Sequence, residues 1–109
     1  MYSNSSIGAV YMQEPEKERY NIRDHGIHFE DAELIFDDPF RIERYDTQNS
    51  GEEDRWQTVG CFDDALFVAF TERGDSIRII SARLATPKER RIYDGNSEAY
   101  PQDWYRVNP

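Results

Sequence analysis

The rhythm of hydrophobic and polar positions changes near residue 40. Before it, apolar residues recur at helical spacing; after it, they alternate or run in short blocks, as strands do. Ala9-Val10-Tyr11-Met12 predicts a short first strand. Glu14-Pro15 opens a helix, because proline suits the first helical position and Glu14, Glu16 and Glu18 sit near the positive end of the dipole. Gly26, directly after His25, predicts a left-handed stop. Phe29, Ala32, Ile35 and Phe36 predict a second short helix over 29–37, ended by Asp37-Asp38-Pro39.

From Phe40 the pattern reads as strands: 40–45, then Arg55–Phe62, Leu66–Thr71 and 77–82. Turn residues at Asn49-Ser50-Gly51, Asp63-Asp64 and Arg73-Gly74-Asp75 join them by short connections, which predicts a four-stranded antiparallel meander. The run Ser76–Arg83 is the most informative, a β-branched strand carrying Arg78 and Arg83. A buried guanidinium demands a carboxylate or a phosphate beside it. Thr86-Pro87-Lys88-Glu89 then supplies an N-cap, a first-turn proline and a capping-box glutamate for a third helix reaching Tyr93. The predicted fold class is α+β: an antiparallel sheet meander with two N-terminal helices and one C-terminal helix packed on it. Residues 1–8 read as a flexible lead-in, 9–93 as one domain, and 94–109 as an irregular tail whose aromatic residues dock on a surface.

Composition narrows the function classes. The 109 residues suffice for a single core, which 6 Phe, 7 Tyr and 2 Trp make rich in aromatic rings. No apolar run approaches the ~20 residues of a membrane span. The first residues lack the charged and apolar regions of an export signal, and one cysteine, Cys61, forms no internal disulfide, so a cytoplasmic protein is expected. The net charge of -9 is uneven. Residues 1–54 carry 14 acidic and 5 basic side chains, whereas 55–109 carry 8 of each. Screening over about 8 Å lets a local arginine patch act beside distant carboxylates.

The landmarks, taken in order, resemble the BrnT family of bacterial toxins. They are Asn21 before His25-Gly26, then Phe29-Glu30 with Ala32, and Phe36 with Asp38-Pro39. Gly51-Glu52, Arg55 and Gly60 follow, and then Ile77–Arg83, Ala85, Glu89-Arg90 and Tyr93. Gln13-Glu14 stands where that family usually has Trp-Asp. The resemblance implies a RelE-like fold and RNA cleavage without a metal. It implies a BrnA-like antitoxin partner whose ribbon-helix-helix part binds operator DNA, so that DNA is met only through the antitoxin.

Metal-free RNA cleavage requires a base for the 2′-hydroxyl, an acid for the leaving oxygen, and cations for the phosphate. Arg78 and Arg83 are the leading phosphate candidates, set against ordinary ion pairs with Glu52, Glu53 or Glu89. Arg55 starts a strand beside the Gly51-Glu52 turn and can face the same sheet surface, or can form a strand-end salt bridge. Glu52 is a candidate base or a carboxylate that orients an arginine, set against an ordinary turn acid. Lys17 lies eight residues before His25, about 80° away around the helix, and either contacts phosphate or lies on a solvated face. His25 is a proton-transfer candidate, weighed against a role at the helix C-terminus. A metal site from His25 and His28 with Cys61 or Asp24 is disfavoured, since Gly26 parts the histidines and no zinc spacing recurs, so no cofactor is expected. Cys61 lies mid-strand among apolar neighbours, and no glycine-rich phosphate loop or serine elbow occurs. The acidic N-terminal half leaves a second reading open, a non-catalytic relative acting as an antitoxin-binding or regulatory module.

Overall fold

The computed structural model describes residues 10–95 and 103–108. Its strands are β1 (Val10–Tyr11), β2 (Ile42–Tyr45), β3 (Arg55–Phe62), β4 (Asp64–Arg73), β5 (Ser76–Leu84) and β6 (Tyr105–Arg106). Its α-helices are α1 (Pro15–His25), α2 (Phe29–Glu33) and α3 (Pro87–Asp94). The strands form one sheet in the order β1-β5-β4-β3-β2-β6. The fold is α+β, and β2 to β5 make the antiparallel meander that alternation predicts. Two short strands extend it, β1 parallel to β5 and β6 antiparallel to β2.

The helix ends follow the capping chemistry of the sequence. Gly26 is left-handed at φ 72, and its N–H donates to the Ile22 carbonyl at 2.8 Å. At α3 the Glu89 N–H donates to Thr86 Oγ1, and the Thr86 N–H donates back to the Glu89 carboxylate. The 29–37 region is helical in two pieces, α2 and then a 3-10 turn over Leu34–Asp37. The β3–β4 turn is tighter than predicted: Asp64 already belongs to β4, and Asp63 alone reverses the chain at φ 71.

Side chains alternate across a strand, so the sheet has two distinct faces. Leu66, Val68 and Phe70 of β4 point with Ile77, Ile79 and Ala82 of β5 into a core closed by Phe29, Ala32, Ile35 and Phe36. Gly60 permits that closure, because a Cβ there would lie 3.0 Å from the Ile35 side chain and carbonyl. Beyond β1, side chains of α1 and of the segment leading into it complete the edge of β5 instead of a strand. Asn21 donates to the Ala82 carbonyl and accepts from the Ala82 N–H, both at 2.9 Å, and Gln13 accepts from the Ile79 N–H at 2.8 Å. The same face buries an ion pair. Arg41 and Glu43, each with a side chain 1% exposed, meet at 2.8 Å, with Thr58 and the Tyr105 hydroxyl on either side.

Among the described residues, the opposite face is covered only at one end. Ile42, Val59 and Phe67 pack there against Ile92 of α3 and Trp104. Asp38 ties this end together, accepting from the Cys61 N–H at 2.8 Å and the Tyr93 hydroxyl at 2.5 Å. Burial and the Asp38 carboxylate both push the Tyr93 hydroxyl pKa upward. The irregular reading of 94–109 needs correcting where it can be seen. Asp94 ends α3, and Tyr105–Arg106 add a strand to β2, because Trp104 buries its ring and the Arg106 guanidinium donates to the Phe40 and Tyr93 carbonyls. Residues 1–9, 96–102 and 109, and with them the 1–8 lead-in, lie outside the described residues.

Candidate functional site

The half-open face carries the arginines in rows set by strand register. Arg55 opposes Thr71, and Thr71 opposes Arg78, so these three side chains share one row. With strands about 4.8 Å apart, Arg55 and Arg78 lie roughly 10 Å from each other across the row. Arg44, Gln57, Ala69 and Ser81 form the next row, and Val59, Phe67 and Arg83 the one after. Arg78 and Arg83 are five residues apart, which would put them on opposite faces of a regular strand. A register shift beside Ala69 leaves Ile80 as an extra residue on β5, and this bulge returns both to one face.

Charge gathers around the first row. Arg78 bonds Glu14 at 2.5 Å, and Arg73 bonds Glu53 at 2.7 Å. The Glu53 carboxyl is held below its ordinary range by the Arg73 bond, with the charges of Arg78 and Arg55 adding to the effect. Those guanidinium groups therefore converge on one region. Arg55 has no side-chain hydrogen bond or ion pair among the described residues. Glu14, directly before α1, is the carboxylate that holds Arg78.

Arg83 stands apart, about 13 Å further along the sheet by strand rise. It grips Glu89 with two bonds, at 2.8 and 2.9 Å, and its guanidinium lies 4.0 Å from the Phe67 ring centroid. Burial pushes the Glu89 carboxyl up, but the Arg83 bonds and the Thr86 N–H prevail and hold it below its usual range. Of the anticipated ion-pair partners, only Glu89 is the one observed; Glu53 pairs with Arg73, and Arg78 with Glu14.

Lys17 and His25 line one cleft of about 170 Å³ between α1 and the bulge at Ile80-Ser81, with Tyr20 and Asp24 on the helix side. The cleft floor belongs to the same β5 stretch that carries Arg78 and Arg83. His25 is exposed in the last turn of α1, where a positive charge complements the dipole. Glu52 is exposed in the loop leading to Arg55 and makes no bond among the described residues. Cys61 is half-buried. Among the described residues no group of three His, Cys, Asp or Glu side chains is placed to share a metal ion.

Residue patterning alone missed Arg73 and Tyr20 as neighbours of the site. Arg73 ends β4, and only the pairing of β3 with β4 brings it to Glu53 in the loop before β3. Tyr20, half-exposed beside Lys17, could be found from its position three residues further along the helix.

An α+β domain with a basic, half-open sheet face beside a helix-lined cleft is the class that this architecture defines. Residues 14–89 match the family described as "Ribonuclease toxin, BrnT, of type II toxin-antitoxin system", and the chain belongs to that family. Among solved structures it is similar to the Brucella abortus ribonuclease toxin BrnT, at 25% identity and a TM-score of 0.55. That likeness covers 70% of this chain and 95% of the Brucella chain. No curated protein matches it. Membership in a type II toxin–antitoxin family implies an antitoxin partner. No helix among the described residues is long and apolar enough to cross a membrane.

Proposed function

We propose that this chain is a cytoplasmic endoribonuclease toxin that cuts RNA without a metal. The observation that carries this reading is the row Arg55–Thr71–Arg78 on an open sheet face, with the Arg55 side chain unpaired among the described residues and the Lys17–His25 cleft beside it. In this scheme Arg55 and Arg78 hold the scissile phosphate through paired N–H donors that stay charged. Arg83 steadies a neighbouring phosphate further along the face, and Lys17 contributes charge from α1. His25 moves the proton at the 2′-hydroxyl or the leaving oxygen, and Glu52 is the carboxylate available to share that work. Arg78 must exchange Glu14 for phosphate, a substitution of one anion for another at a half-exposed site. The antitoxin is a BrnA-like protein whose ribbon-helix-helix part binds DNA, which this chain meets only through it.

The test is cleavage of RNA by the purified chain in excess chelator, where undiminished cutting is expected. Activity lost on chelation and restored by a divalent ion would overturn the metal-free scheme.

A second reading has its own observation. Arg78 and Arg83 are each already bonded to a carboxylate, as in a relative that has kept its partner-binding surface and lost catalysis. Expression in bacteria separates the two. Growth arrest relieved by the antitoxin frame beside the gene supports the toxin; unimpaired growth supports the binding module.

A further inference from the structure

The end of the helix-covered face presents a second, chemically different surface. There the helical layer stops short of the sheet, and large apolar side chains are left in water: Phe62 is 54% exposed, Leu84 57%, and Leu34 stands half-open above them. Leu84 opposes Leu66 across β4–β5, and Leu66, itself 7% exposed, lies beneath the exposed side chains. A cavity of about 220 Å³ opens into it, floored by Ile27, Leu34, Phe62 and Leu66. Its rim is acidic: Asp31, Asp63 and Asp64 line the same cavity, and their carboxylates form no ion pair among the described residues. Asp63 sits at φ 71, a left-handed conformation that costs a non-glycine residue energy unless surrounding structure holds it. Such a position holds the turn tip and its charge where Phe62 projects.

We propose that this patch docks the antitoxin by a helical segment that inserts a large apolar side chain into the cavity and sets lysine or arginine against the three aspartates. Two observations choose that occupant. Large apolar side chains left exposed about a cavity with a polar rim mark a protein interface. A rim of uncompensated carboxylates selects a basic flank, since opposite charge steers and registers association. The patch lies on the face away from Arg55, Arg78 and Arg83, so it stands whether or not RNA is cut.

The probe is a synthetic amphipathic helix with leucines at i, i+3, i+4 and i+7 and lysines elsewhere, compared with the same helix carrying glutamates. Binding is followed by anisotropy of labelled peptide and by amide shifts in the full chain. The lysine helix is expected to bind at least about tenfold more tightly than the glutamate helix, moving the Phe62, Leu66 and Leu84 amides, and to weaken with salt. Phe62→Ser should abolish binding. Asp63→Gly, which suits the left-handed backbone, combined with Asp64→Asn should reduce the salt dependence without unfolding the chain, leaving Asp31 as the one rim carboxylate. Equal binding of both helices, or shifts confined to the arginine face, would overturn the proposal. So would a dimer of the free chain that Phe62→Ser dissociates, since a second copy would then be the occupant.

Discussion

The two faces of the sheet solve opposite problems with the same residue type. On the helix-covered face Arg41 is fully buried, and its neighbours Glu43 and Thr58 share its hydrogen bonds while its guanidinium lies 4.9 Å from the Phe36 ring centroid. On the half-open face the Arg55 side chain is left with no bond among the described residues, and Arg78 is tied by one bond to a half-exposed glutamate. A buried guanidinium must be satisfied from within the fold, whereas an exposed one can remain available to an incoming anion. Arg41 therefore serves stability, and in the scheme proposed above Arg55 and Arg78 serve binding.

The largest expected effect breaks the covered side. Arg41→Ala leaves the Glu43 carboxyl buried, where desolvation already pushes its pKa upward against the pull of Arg41 and Tyr105. Removing one partner of a buried pair costs about 3–5 kcal/mol, so urea unfolding should show a loss of that size. A loss below about 1 kcal/mol would mean that water reaches the pair. Arg55→Ala sharpens the other side. Its stability should stay within about 0.5 kcal/mol of the parent, while RNA cleavage falls at least about tenfold, equivalent to about 1.4 kcal/mol in the barrier. Unchanged cleavage rates would remove Arg55 from the phosphate site.

Much of the framework was legible because it rests on local chemistry. Proline, glycine and the Thr86–Glu89 box mark the helix ends, and alternation marks the meander. The landmarks of the family resemblance are largely clasps of the fold. Asn21 completes the edge of β5, Asp38 joins Cys61 to Tyr93, Gly60 admits Ile35, and Glu89 holds Arg83. Ordered resemblance therefore located the scaffold better than the chemistry. The pairing of Arg78 with Glu14 was hidden, since 64 residues separate them. The bulge at Ile80 was hidden too, because it depends on register with β4, and without it Arg83 would face the core. A buried Arg41 beside Glu43 left a faint signal, opposite charges two apart on a strand, which alternation alone reads as a solvated face.

The smallest expected effect tests the boundary between the faces, at Arg83 and Glu89. The bonds from Arg83 and Thr86 hold the Glu89 carboxyl below its ordinary range, so its folded-state pKa lies beneath the unfolded one. A group depressed in this direction adds stability above the unfolded value, near 4.3 for glutamate, and loses it as pH falls through the folded value. The pair is partly exposed, with side chains 33% and 15% accessible, so the contribution is discounted to about 1 kcal/mol or less. Glu89→Gln should therefore lower Tm slightly at pH 7, and the gap between variant and parent should close as pH drops below about 4. A gap that persists into strong acid would show that the side chain acts through packing and the helix cap. Closure would show that acid frees Arg83 from its carboxylate, moving it from the satisfied class of arginine to the available one.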